Sequence, residues 1–264
     1  MDKIEICKKI KKSIRKLVLF DKEQVKCWGT GVVINDGGII LTANHVISDY
    51  SRLIYPKIIA YGIEDVPAME YKPRLFNVSF DIKMPDFAKP LTIDLAIIEP
   101  IKNIDRIPYI QLEDEITIEG TEIIMAGFPD EVSPPLNFNE MLNFNNPELN
   151  KNKFQIEKFF KVYMRLIMIK GGMIGSAQKI NISGSCEIPE LTKSIEAKGA
   201  VYWIDNASNH GASGGPVVNF SGRLIGIISE KGLTKQEVVP NLSFKVPSGS
   251  TMALSHNLIT WALK

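Results

Sequence analysis

An all-β fold, an antiparallel barrel or sandwich, is the class this sequence predicts, and three observations carry it. Short segments rich in β-branched residues recur from Leu17 almost to the C-terminus. Turn signals separate them; in Asn35-Asp36-Gly37-Gly38 the Asp-Gly pair tolerates the positive φ of a tight hairpin. Helical patterns are confined to the two ends and one internal stretch. A parallel sheet needs a crossover between successive strands, usually a helix, and too few helices are present to supply them.

In chain order, residues 2–13 favour a helix. Ile4, Cys7, Ile10 and Ile14 recur at spacings of three or four, while Lys8, Lys9, Lys11 and Lys12 lie mostly off that stripe. The pattern suits a helix packed on the body with solvated lysines; the alternative is docking to an anionic surface or partner. Strands are expected at Leu17–Phe20, Gly31–Ile34, Ile39–Thr42, Arg52–Ala60, Leu95–Ile98 and Glu122–Ala126. Gly127-Phe128-Pro129-Asp130 breaks the pattern. Seven Asn between positions 137 and 152, with Pro134, Pro135 and Pro147, mark residues 131–160 as a surface insertion, with a helix near Lys153–Lys161. Strand signals resume at Val162–Ile169, Ala200–Ile204, Pro216–Phe220 and Leu224–Ile228, and Asn257–Lys264 reads as a terminal helix.

Composition narrows the function classes. The 264 residues are 45% hydrophobic and 23% charged, which excludes long disorder, collagen-like repeats and a disulfide miniprotein. A net charge of +1 provides no global field for nucleic acid, although residues 1–16 alone carry +5. Three widely spaced cysteines (Cys7, Cys27, Cys186) read as reduced thiols of a cytoplasmic protein. No apolar run approaches the roughly 18 residues of a membrane span, and no signal-peptide pattern follows the charged start. Three histidines show no zinc spacing, and no phosphate-cradling glycine motif is present, so no metal or cofactor is expected.

Three segments carry chemistry. Leu41-Thr42-Ala43-Asn44-His45-Val46 places a histidine just after a strand. Ile93-Asp94-Leu95-Ala96-Ile97-Ile98 places an acid at the head of an apolar strand. Gly211-Ala212-Ser213-Gly214-Gly215-Pro216 places a serine in a glycine-rich turn. A serine hydroxyl is a poor nucleophile until a base takes its proton, and histidine titrates near neutrality. A carboxylate fixes the imidazole tautomer and stabilises the imidazolium. Glycines let the backbone offer N–H donors to a developing oxyanion, here those of Gly211 and Ser213. Asp81 and Asp86 are weaker candidates than Asp94, because their surroundings read as a Pro-containing loop. The serine segment also fits the G-x-S-x-G elbow of α/β-hydrolases. That fold needs an acid and then a histidine after the serine, and a helix next; here no Asp follows, and Pro216–Phe220 reads as strand.

These segments, with Gly29-Thr30-Gly31-Val32-Val33, Ala126-Gly127-Phe128-Pro129, Ile204-Asp205-Asn206-Ala207, Leu224-Ile225-Gly226-Ile227 and Phe244-Lys245-Val246-Pro247-Ser248, resemble the trypsin-like serine proteases. Among these the likeness is to bacterial HtrA-type protease domains, over about residues 14–260 apart from the insertion. The resemblance implies a chymotrypsin-like pair of six-stranded antiparallel β-barrels. A basic helix (1–13) would precede a first barrel (14–125). A linker with the Asn-rich insertion (126–165), a second barrel (166–250) and a C-terminal helix (251–264) would follow. His45 and Asp94 would come from the first barrel and Ser213 from the second.

The departures from the family matter too. Ala212 stands where animal trypsins use an Asp to capture a cleaved N-terminal amine, so that activation route is not expected. No segment is left for the C-terminal PDZ domain of HtrA proteases. The 131–160 insertion lies where relatives place regulatory loops and is positioned to gate the cleft. The resemblance further implies a pocket for the residue before the scissile bond, lined by Ala207, Ser208, Ile227, Ile228, Ser229 and Glu230. His210 beside it is either a locally bonded loop residue or a substrate contact. With Ala207 at the pocket base, a strict Lys/Arg preference is not expected, and a small or medium apolar residue is. The expected function is a serine endopeptidase working on extended protein or peptide substrates through an acyl-enzyme. A regulatory protein partner would release a latent form, and the alternative is a catalytically silent binding module.

Overall fold

The computed structural model describes residues 1–63, 66–80, 91–104, 106–129, 146–147, 166–188, 191–239 and 242–263. The first barrel is built from β1 (Ile14–Asp21), β2 (Gln24–Val33), β3 (Ile40–Thr42), β4 (Pro56–Tyr61), β5 (Met69–Leu75) and β8 (Ala96–Pro100). It runs in the order β1-β2-β3-β8-β5-β4 and closes by pairing β4 with β1. A small ribbon of β6 (Ser79–Phe80) and β7 (Leu91–Thr92) stands beside it. The second barrel contains β9 (Glu122–Gly127), β10 (Met168–Ile188), β11 (Leu191–Ile204), β12 (Pro216–Asn219), β13 (Leu224–Val239) and β14 (Leu242–Ser255). It is ordered β10-β11-β14-β13-β12-β9 and closes by pairing β9 with β10. Among the described residues the strand pairings within both barrels are antiparallel, which makes the molecule an all-β protein with the chymotrypsin-like architecture.

Strand periodicity explains the unbroken apolar runs. Successive side chains alternate faces, so a strand between two cores must be apolar on both. In β3 and β8, Ile40, Ala96 and Ile98 fill the first barrel, whereas Leu41 and Ile97 join the cluster shared with the second. In β9 and β12, Ile123, Met125 and Val217 fill the second barrel, and Ile124, Ala126 and Val218 meet that shared cluster. Burying one of these Ile, Leu, Val or Met side chains contributes about 1.5–3 kcal/mol. The cleft follows the seam where these faces meet.

The structure departs from the sequence expectations at several places. β9, expected at the end of the first barrel, belongs to the second, because Ile123 and Met125 point into its interior between β10 and β12. The expected strand 52–60 is a 3-10 turn at Ser48–Arg52, with strand only from Pro56. β10–β11 and β13–β14 run on as long hairpins beyond the expected strands. The C-terminus continues as strand to Ser255, then forms 3-10 turns at His256–Leu258 and Thr260–Leu263 rather than a helix. The insertion, its expected helix, Asp81 and Asp86 lie outside the described residues, except Asn146 and Pro147.

The N-terminal helix α1 (Lys3–Ser13) forms with Asp2 as its N-cap, accepting from the Glu5 amide at 2.8 Å. Its buried stripe is Ile6 and Ile10, continued by Ile14; Ile4, expected on that stripe, is 67% exposed. The stripe is rotated because the helix docks on the β12–β13 turn. The Met1 amine donates to the Phe220 carbonyl at 3.2 Å, and Lys9 Nζ donates to the Gly222 carbonyl at 2.9 Å. Lys9 is therefore not simply solvated, and burial, with the nearby Arg223 charge, lowers its pKa.

Candidate active site

β3 ends at Thr42, extended Ala43 (φ −74°, ψ 141°) turns the chain, and the short helix α2 (Asn44–Ile47) presents His45. Asp94 sits just before β8. The His45 amide donates to Asp94 Oδ1 at 2.9 Å, and His45 Nδ1 lies 3.0 Å from both carboxylate oxygens. A carboxylate on Nδ1 assigns the proton to that nitrogen and leaves Nε2 as the acceptor in the neutral ring. The buried Ser229 hydroxyl also donates to Asp94 Oδ2. The hydrogen bond to Asp94 raises the His45 pKa above its usual 6.5. Burial opposes the rise, and the negative charges of Asp94 and Glu230 add to it. Asn44 holds α2 in place: its side chain accepts from the Asn77 amide at 2.6 Å and donates to Asn77 Oδ1 at 3.0 Å.

Ser213 lies on a turn that leads into β12. Gly214 adopts φ +85°, and a Cβ there would stand 1.9 Å from the Thr30 carbonyl oxygen, so only glycine fits. Fully buried Thr30, on β2 of the opposite barrel, holds the turn twice. Its amide donates to the Ser213 carbonyl at 2.8 Å, and its hydroxyl donates to the Gly211 carbonyl at 2.7 Å. The Thr30 hydroxyl accepts from the Phe128 amide at 3.1 Å, and the Thr30 carbonyl accepts from the Thr42 hydroxyl at 2.7 Å. Behind the turn the Gly214 amide donates to the Ile228 carbonyl at 2.7 Å. Among the described residues no protein acceptor takes the amides of Gly211 or Ser213. The Ser213 hydroxyl donates to the Ser229 carbonyl at 3.1 Å, and no hydrogen bond joins it to His45.

A cleft of about 620 Å³ brings His45, Asp94 and Ser213 to one surface. Of the expected pocket residues, Ser208, His210, Ser229 and Glu230 line it. Ile227 and Ile228 do not line this cleft; both are buried, and Ile228 borders a second crevice together with Ser208. The Ala207 carbonyl is taken by Lys170 Nζ at 2.6 Å. The sequence marks Ser229 as pocket wall but not its hydroxyl on Asp94; Thr30 stands in the Gly29-Thr30-Gly31 motif with no local sign of its clamping role, and no motif marks Lys170. His256, the histidine an α/β-hydrolase would need, is buried with Nε2 on the Glu113 carbonyl at 2.9 Å. Among the described residues no cluster of potential ligands could hold a metal ion, and no helix is long and apolar enough to cross a membrane.

This architecture is that of a serine-type endopeptidase, a hydrolase with the chymotrypsin fold. The chain belongs to the trypsin-like peptidase family: the model of the trypsin-like peptidase domain matches residues 29–227. No curated protein matches it. An inactive form of Rv3671c from M. tuberculosis H37Rv is similar with a TM-score of 0.53 at 15% identity, over 98% of this chain and 88% of that one. The active form of the Rv3671c protease gives 0.52 at 14% identity, over 98% and 82%. The serine endoprotease from Yersinia pestis gives 0.56 at 17% identity, over 99% of this chain and 65% of that one. At these identities the likeness is one of fold.

Proposed function

We propose that the chain hydrolyses peptide bonds through an acyl-enzyme formed on Ser213. Its hydroxyl attacks the scissile carbonyl, and His45 Nε2 takes the proton and returns it to the leaving amine. Asp94 holds the tautomer and the imidazolium, and the amides of Gly211 and Ser213 receive the oxyanion. One observation carries this reading: His45 is clasped by Asp94 in the cleft that holds Ser213, beside two amides with no protein acceptor. For attack the Ser213 hydroxyl must leave the Ser229 carbonyl and donate to His45 Nε2.

The edge of β13 supports an extended peptide as substrate. On the side away from β14 its pairing with β12 ends at Pro216 opposite Ile227, and among the described residues no strand pairs with Ser229 and Glu230 on that side. A peptide adding there as a strand would take the Ser229 carbonyl and free the Ser213 hydroxyl for attack. That docked hydroxyl also favours a resting form that a regulatory partner or ligand can release. Casein cleavage by the isolated chain, as fast as by any activated form, would remove that regulatory element.

The central test is covalent. A fluorophosphonate is expected to label the wild-type chain and not Ser213→Ala, and the substitution to lower kcat by up to ~10⁶-fold. A wild-type chain that takes no label either alone or with an added peptide substrate would instead favour the silent binding module.

A further inference from the structure

We propose that Lys170 is a positioning residue that holds the oxyanion turn in its working shape from the side opposite Thr30. The inference deepens the peptidase reading and rests on it for its catalytic consequence. Lys170 lies on β10, where the ladder sets it opposite Met125 of β9, so its backbone belongs to the closed barrel. Its half-buried ammonium leaves that strand and donates to two groups of the turn, the Ala207 carbonyl at 2.6 Å and Asn209 Oδ1 at 2.9 Å. Charge-assisted bonds of this kind are roughly twice as strong as neutral ones.

These contacts bear on the oxyanion donors through the peptide planes beside them. The Asn209 carbonyl accepts from the Ala212 amide at 3.1 Å, which closes a turn over residues 209–212. The Gly211 carbonyl is taken by the Thr30 hydroxyl. The Gly211 amide thus sits between a segment held by Lys170 and a plane held by Thr30. Gly211 itself has φ +82°, a conformation glycine adopts freely and leaves as freely, so its direction depends on those flanking contacts. Behind the turn Lys170, Ser208, Asn209, Ala212 and Ile228 border one narrow crevice, so the lysine lies against the inner side of the turn. Ala212 brings no charge there. The cation therefore comes from within the folded barrel and binds carbonyl and amide oxygens, so it needs no cleavage of the chain.

The test uses the full chain with Lys170→Met, which keeps length and removes the charge. Expected is a fall in kcat of about 10- to 100-fold on a peptide ester, with KM changed by less than about threefold. Lys170→Arg should retain most of the activity, and methylammonium should restore part of the kcat lost by Lys170→Ala. Independently of activity, amide exchange over 207–213 should quicken at least about tenfold in Lys170→Met, while β1–β5 keep wild-type protection. Unchanged exchange over 207–213, or unchanged kcat in a folded Lys170→Met, would overturn the proposal. If Lys170→Met does not fold, Asn209→Ala removes one acceptor only and should shift the same readouts in the same direction by less; a wild-type result there also overturns it. If the wild-type chain takes no fluorophosphonate label either alone or with an added peptide substrate, the peptidase reading fails, while the exchange measurement still decides whether Lys170 holds the turn.

Discussion

His45 and Asp94 are joined within the first barrel by short-range architecture. α2 follows β3, Asp94 precedes β8, and β3 pairs directly with β8. The Ser213 turn is assembled differently, with carbonyls held by Thr30 from the other barrel and by Lys170 from β10. Ser229 bridges the two halves, its hydroxyl on Asp94 and its carbonyl under the Ser213 hydroxyl. The His45–Asp94 pair is thus brought together by one barrel, with Ser229 of the other added to it, whereas the nucleophile half depends throughout on how the barrels meet. Damage to the first half should alter proton transfer, and damage to the second should alter oxyanion binding and local order.

The sharpest way to break this division is Asp94→Asn. The asparagine keeps the shape but is expected to leave His45 in the wrong tautomer, with kcat falling on the order of 10⁴-fold. Steady-state rates on a peptide ester would measure it, and a loss below about tenfold would mean that the pair does not act as a unit. On the other side of the cleft, Thr30→Val removes one hydroxyl and strands the Gly211 carbonyl and the Phe128 amide. Leaving buried groups unpaired costs about 1–3 kcal/mol of stability each. The denaturation midpoint should fall, and fluorophosphonate labelling should slow by about tenfold. Wild-type labelling in Thr30→Val would show that the inter-barrel clamp does not govern the turn.

The smallest effect is a shift in pH dependence. His45 carries a raised pKa, so its protonated form is favoured in the folded chain. The stability this provides is present in full below about pH 6.5 and is lost as pH rises through the folded-state value. Activity moves the opposite way, because the base must be neutral: kcat/KM should climb with pH through an apparent pKa above 6.5. Glu230→Gln removes one of the charges that raise it and should move that limb toward lower pH, with the plateau rate kept. A limb that stays in place in Glu230→Gln would separate Glu230 from the acid–base half.

The elements most legible in the sequence were those whose local pattern has one physical solution. Leu95–Ile98 and Ile123–Ala126 are apolar on both faces and became strands between two cores. Gly214 stood in a serine turn that no side chain fits. The helix at 3–13 was legible but its buried face was not: both Ile4 and Ile6 suit an amphipathic stripe, and the β12–β13 turn selected Ile6. β9 was legible as a strand and misplaced by barrel, since an apolar run says that it is buried and not which partners bury it.

Residue chemistry and local pattern, the all-β class, the serine turn and the histidine and acid that suit it, were determined by the chain as written. Tertiary structure alone decided that Thr30 meets Gly211, that Ser229 meets Asp94 and that Lys170 meets Ala207. These pairs are far apart along the chain and carry no shared local signal. Their proximity arises because two sheets close on themselves and then pack, and only closure and packing turn positions in a sequence into distances in space.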